Sequence, residues 1–216
     1  MKKLFSAMLI VINLSSFGQT KETTINKIYL QLGAGACSYK GFSGEVGIQA
    51  VFKNNWIGSF SYNSLTMDPK NVPSDYRPGY TTLLFVSFEN SPTVAMDVYS
   101  LTTGKYFKTG RNTGFSTEAG LSYVNGEKVN YTRNAGDLTG WNLLIIGDEP
   151  SNYNTTVEKQ TTMGGVLKAD FNWAFASIAA LGAGFNANLN DVQSTIGFEV
   201  KLSLGWMNLK KKGSRH

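Results

Sequence analysis

From about residue 27 onward the chain alternates apolar and polar side chains with a period of two, in blocks of about ten residues. Successive side chains of a β-strand point to opposite faces, so each block predicts a strand with two unlike faces. The last block is the clearest: Ile196, Phe198, Val200, Leu202, Leu204 and Trp206 share one face, against Thr195, Gly197, Glu199, Lys201, Ser203 and Gly205. The first sets Ile28, Leu30, Leu32, Ala34 and Ala36 against Tyr29, Gln31, Gly33 and Gly35. The second sets Val46, Ile48, Ala50 and Phe52 against Glu45, Gly47 and Gln49. A fifth sets Phe115, Thr117, Ala119, Leu121 and Tyr123 against Ser116, Glu118, Gly120 and Ser122.

Four further blocks carry the pattern in weaker form. In the third, Trp56, Gly58, Phe60 and Tyr62 face away from Ser59, Ser61 and Asn63. Over 161–171, Met163, Leu167 and Phe171 oppose Lys168 and Asp170, and over 177–187, Leu181 and Phe185 oppose Gly182, Gly184 and Asn186. Residues 96–107 alternate irregularly and take their place from their neighbours. The pattern predicts eight strands. No apolar run in this part of the chain reaches the length of a membrane-spanning helix.

The connections are uneven in a regular way. After strands two, four and six come 53–55 (KNN), 109–113 (TGRNT) and about 172–174, all short and turn-like. The other end receives 37–43, 65–94, 125–160 and 187–192, including both long segments. Outer-membrane barrels have this asymmetry, with short periplasmic turns and longer outer loops.

A soluble barrel alternates too, but turns its apolar face inward and its charges to water. Here charges on the polar faces are sparse, commonly one or two per strand, among glycines, serines and asparagines, which suits a narrow interior that packs and pairs its charges. The expected fold is therefore all-β, an eight-stranded antiparallel up-and-down transmembrane β-barrel. Its interior polar residues are Glu45, Gln49, Glu118, Lys168, Asp170, Glu199 and Lys201, with Lys105 as a further partner for the carboxylates. Phe52, Trp56, Tyr62, Tyr106, Phe115, Tyr123, Phe171, Phe175 and Trp206 fall near strand ends, where aromatic girdles meet the membrane interfaces.

Charge and cysteine usage sharpen the placement. The chain has 216 residues, 16% of them charged, and a net charge of +5. Two of those positive charges are Lys2 and Lys3, and four are Lys210, Lys211, Lys212 and Arg215, so the stretch between them has one net negative charge. The basicity belongs to the ends and gives no reason to expect nucleic acid. Residues 1–18 combine a basic start, an apolar run over 4–14 and small residues near Gly18, the signature of a cleaved secretory signal peptide. The expected organisation is a signal at 1–18, a barrel domain at 19–209 and a basic periplasmic tail at 210–216. Cys37 is the only cysteine, so no internal disulfide forms and no cysteine stands at the cut for lipid attachment.

The signal ends Ser16-Phe17-Gly18-Gln19, and motifs follow at 73–79 (PSDYRPG), 101–107 (LTTGKYF) and 118–124 (EAGLSYV). Together with the terminal strand, these make the chain resemble the small outer-membrane β-barrel proteins of Gram-negative bacteria, particularly those of Bacteroidota. The resemblance spans about 27–209. Thr195, Gly197, Val200 and Leu202 look like the signal such proteins present to the barrel-assembly machinery, although Trp206 is followed by a basic tail where many end on an aromatic residue. The resemblance implies an outer-membrane location, with lipid and that machinery as partners.

Chemistry is mostly excluded. Enzymatic barrels of this kind generally rely on histidine, and the only histidine is His216, the last residue, where a general base has nothing to position it. Glu118 and Glu199 read as interior ion-pairing groups, and Cys37 lacks a histidine to activate it. Asp137, Asp148 and Glu149 match no calcium loop, and Gly33-Ala34-Gly35 and Gly182-Ala183-Gly184 lack the context of a phosphate-binding loop. No catalytic residue, metal ligand or cofactor is expected. The long loops are apolar at 83–86 and 141–146, either extending the hairpins or covering the barrel mouth, with Tyr76, Arg77 and Trp141 as candidates for recognising a surface ligand. The expected role is structural or surface-binding. Transport of a small or apolar solute through a narrow lumen, and an exported lipocalin-like binder, are the alternatives.

Overall fold

The computed structural model describes residues 25–83, 86–134, 141–142 and 146–206. The signal at 1–18, His216 and the basic tail lie outside them. The described residues form twelve strands and no helix. Eight close into a barrel: β1 (Ile25–Cys37), β2 (Gly41–Phe52), β3 (Trp56–Met67), β6 (Val94–Lys108), β7 (Thr113–Arg133), β10 (Tyr153–Ala174), β11 (Ala179–Leu189) and β12 (Thr195–Trp206). Each barrel strand pairs antiparallel with the strands before and after it around the wall. β1 meets β12 from Ile28 opposite Trp206 to Cys37 opposite Gly197, which removes both free edges.

All eight expected strands are present. Two are much longer than the alternation suggests: β7 has 21 residues and β10 has 22, and their ladder runs unbroken from Thr113 opposite Trp173 to Arg133 opposite Tyr153. Nearly half of the expected loop at 125–160 is thus a hairpin rising above the rest of the wall. Its sequence hid it because both faces there are polar, as at Asn125, Glu127 and Lys128. Backbone pairing needs no apolar face to persist.

The other four strands build a small sheet from the two long connections. β4 (Gly79–Leu83), β5 (Val86–Asn90), β8 (Trp141–Asn142) and β9 (Ile146–Glu149) pair in the order β5-β4-β9-β8. β4 bridges its own hairpin partner β5 and β9 of the other connection, so the two loops are locked together by main-chain hydrogen bonds. The apolar runs therefore extend hairpins. Leu83 and Val86 are exposed and cover nothing, while 84–85 and 143–145 lie outside the described residues.

Facing is inverted relative to a soluble protein. On β12, Phe198 and Val200 are 57% and 60% exposed, while Glu199 and Lys201 between them are 0% and 1% exposed. The same phase holds around the wall, with Ile28, Ile48, Phe60, Leu101, Leu121, Leu167 and Phe185 all outward. On β12 this apolar face runs from Ile196 to Leu204, about 27 Å along the strand at roughly 3.3–3.4 Å per residue.

β6 corrects two expectations. Lys105 faces outward, its ammonium 4.3 Å from the centre of the Trp56 ring, and takes no part in the interior ion pairs. Tyr106 faces inward rather than joining the girdle, and its hydroxyl accepts a 3.0 Å bond from Lys27 Nζ. Thr102-Thr103-Gly104 carries no polarity contrast, so the sequence gives no phase at that end of the strand.

Candidate functional site

The lumen is stratified along the barrel axis. Near the long loops Leu65, Met67, Val94, Met96, Val98 and Val124 point inward and bury Val129 and Val192 against themselves. Val192 comes from the β11–β12 loop, which is pinned to the first long connection: Gln193 Nε2 donates to the Asp68 carbonyl (2.9 Å) and Gln193 Oε1 accepts from Lys70 N (3.1 Å). This plug is the cap over the mouth. Nothing in the pattern marked it, because it hangs on one valine in a short polar loop. Toward the short turns, Tyr29, Val51, Ile57, Ala174 and Ala180 make a second apolar layer.

Charge is held between these layers, where the seven interior residues expected from sequence lie, each at most 7% exposed. Lys168 Nζ sits 2.8 Å from Glu45 Oε2 and donates to Ser61 Oγ at 2.8 Å. Lys201 Nζ sits among three carboxylates, 2.9 Å from Asp170, 3.5 Å from Glu45 and 3.8 Å from Glu199. Asn63 Nδ2 donates to Glu199 Oε1 at 3.1 Å. Glu118 is held differently, by hydrogen bonds from Ser59 and Thr102 (both 2.6 Å) and from Gln49, which in turn accepts from Tyr29. A charge cluster without water is tolerable only when its members are paired and bonded.

Glycine makes room for it. A methyl group on Gly184 would collide with Asp170 Oδ1 and lie 2.7 Å from Lys201 Cε. The Gly182-Ala183-Gly184 segment is thus a gap for side chains arriving from β10 and β12, a role for which only the smallest residue fits.

At the turn end the lumen opens into a cavity of about 260 Å³, lined by residues that include Lys27, Lys108, Arg111, Asn172 and Ser203. At the loop end, the connection carrying two of the candidate recognition residues is clamped to the β7–β10 hairpin. Arg77 N donates to Asn152 Oδ1 (2.7 Å), Ser151 Oγ to the Arg77 carbonyl (2.9 Å) and Asn152 Nδ2 to the Asp75 carbonyl (2.7 Å). The Tyr76 ring packs edge-on against Tyr131 at 5.3 Å and near Tyr153 at 6.3 Å, so Tyr76 anchors the loop as well as facing outward in part. The Tyr153 hydroxyl donates to Asp75 Oδ1 (2.7 Å), and this bond, helped by Arg133 at 3.5 Å, holds the Asp75 carboxyl below its usual range. Arg77 is exposed on the rim of a shallow cleft with Asp75 and Arg133. Trp141 lies on β8, its backbone opposite Asp148, and its side chain lies outside the described residues.

A closed barrel of eight antiparallel strands, outwardly apolar and with polar side chains filling the middle of its lumen, defines a class of fold: that of the outer-membrane β-barrels. Solved structures of that class are similar to it. The N-terminal β-barrel domain of Pseudomonas aeruginosa OprF superposes with a TM-score of 0.51 at 11% identity, covering 84% of this chain and 98% of that one. Neisserial surface protein A gives 0.50 at 12% identity, covering 83% and 96%. No family model and no curated protein sequence matches the chain.

Proposed function

We propose that the chain is an integral outer-membrane protein without enzymatic activity, in which a sealed barrel anchors an interlocked outer sheet that serves as a binding surface. The observation that carries this reading is the inverted facing, with an apolar belt outside and a paired charge cluster inside. Water around such a belt would meet dozens of apolar side chains. Lipid is the solvent in which the arrangement is stable. The signal-like pattern at 1–18 supports export, and the resemblance of the motifs to those of small barrels of Bacteroidota supports assembly by the outer-membrane machinery.

Two apolar layers and the ion pairs between them favour an anchor over a conduit. Solute passage would have to displace the Val192 plug, the Tyr29 layer and the Lys201 cluster together. The test is twofold. Extraction from cell membranes should need detergent, and the folded protein should run faster than the heated protein on a denaturing gel. Purified protein in planar bilayers should give no conductance steps above background. Release by salt wash alone contradicts the membrane reading, and steady conductance contradicts the sealed lumen.

A further inference from the structure

We propose that the cavity at the turn end of the barrel is a binding site for a phosphate group. The inference stands on the cavity itself and does not depend on where the barrel resides. Among the described residues three cationic side chains line it, Lys27 from β1, Lys108 at the end of β6 and Arg111 in the β6–β7 turn, and no carboxylate does. Among the described residues none of the three makes an ion pair with a carboxylate, in contrast to Lys168 and Lys201 deeper in the lumen. The carboxylates beyond the floor are already engaged: Asp170, one inward step along β10 from Asn172, lies 2.9 Å from Lys201, and Glu118 accepts three hydrogen bonds. Among the described residues the mouth is therefore cationic, and a narrow, low-dielectric opening concentrates such a field.

Two features show a prepared site rather than a basic rim. Lys27 is held in place, its ammonium bonded to the Tyr106 hydroxyl at 3.0 Å and lying 4.3 Å from the centre of that ring. An ammonium has three donors, so two remain. The β6–β7 turn is also fixed, since Ala174 N donates to the Asn112 carbonyl (2.7 Å) and Thr109 N and Gly110 N donate to that of Thr113 (3.2 and 3.3 Å). In addition, Asn172 and Ser203 line the cavity, 8% and 1% exposed, with side-chain polar atoms that have no hydrogen-bond partner among the described residues. Buried polar groups are normally satisfied, so these two side chains have hydrogen-bonding capacity to offer a polar guest in the cavity.

The donor set selects the guest. Cations reaching in from three separate elements match an oxyanion with oxygens on several sides and close to two charges, as in a phosphate monoester; a planar carboxylate is satisfied by one fork. The volume, about 260 Å³, is several times the roughly 30 Å³ share of one water molecule. It admits a phosphate with a small substituent and excludes a polymer. A soluble phosphate ester and a phospholipid headgroup offer the same group.

The test is calorimetry on the full chain in phosphate-free octyl glucoside micelles, titrated with inorganic phosphate and with glycerol 3-phosphate. One saturable site per chain is expected. Its affinity should fall at least tenfold in a Lys108→Gln/Arg111→Gln double variant, both residues being exposed at the rim, and stay unchanged in Lys105→Gln, a cation on the outer face at the same end. Heat-modifiable gel mobility reports that each variant is folded. Vesicles containing phosphatidylglycerol separate the sources: competition with glycerol 3-phosphate assigns the site to a headgroup, and its absence to a soluble ester. No saturable heat with either phosphate, or an equal loss in Lys105→Gln, would overturn the proposal.

Discussion

The two faces of the barrel strands are made by the same backbone and differ in every other respect. On β12 the outward residues Phe198 and Val200 are more than half exposed, and the inward Glu199 and Lys201 are fully enclosed. A water-soluble strand would have these roles exchanged. Stability here comes from two unlike sources, an exterior that needs an apolar surrounding and an interior that needs every charge to find a partner. Each can be broken separately.

The largest effect is expected from the interior. Lys201→Leu removes the cation shared by Asp170, Glu45 and Glu199 and leaves them buried against one another. Deleting one partner of a buried pair costs about 3–5 kcal/mol. Urea unfolding of the refolded protein should show it. On the exterior, Val200→Lys puts a charge at the middle of the outward face of β12, at a cost of about 2–4 kcal/mol if that face meets hydrocarbon. If that face met water instead, the same substitution would cost little. Gly184→Ala acts on packing alone, pressing a methyl into Asp170 and Lys201, and should cost about 1–3 kcal/mol.

The smallest effect belongs to the loops. Asp75 has a depressed folded-state pKa, so its contribution is present above the unfolded carboxyl range and is lost as pH falls through the folded value. At neutral pH nothing changes. In acid, hydrogen exchange over 75–77 and 151–153 should rise while the barrel's melting is unaffected, because the contact joins two loops above the wall.

What the sequence made legible follows the same division. The outward and inward phases of β1, β2, β3, β7, β10, β11 and β12 could be read from alternation, since lipid-like and lumenal surroundings select opposite residue types. That placed Lys168, Asp170, Glu199 and Lys201 inside. Which lysine meets which acid was not readable, because the pairings span the lumen between strands far apart in sequence, as Lys168 to Glu45 does. Lys105 and Tyr106 went to the wrong faces where two threonines and a glycine erase the contrast. The upper hairpin and the Val192 plug were invisible for a related reason: above the belt neither face has a fixed solvent, and a single apolar residue makes no pattern.

The cavity at the turn end belongs with these unreadable features. Lys27, Lys108 and Arg111 are 84 positions apart at the extremes, and only closure of the barrel brings them to one mouth. The barrel's two ends differ accordingly, one narrow and cationic, the other plugged around Val192.

The claim that orders all of this is that the outward face meets lipid, and spin labels test it directly. In a Cys37→Ser background, cysteines replacing Val46, Phe60, Leu101, Leu121, Leu167 and Val200 would carry nitroxides on six different strands, all facing outward. In bilayers, each label should collide readily with oxygen, which concentrates in hydrocarbon, and hardly at all with a water-soluble nickel chelate. Labels at these positions that meet the chelate as freely as a label at Arg77 would contradict the account.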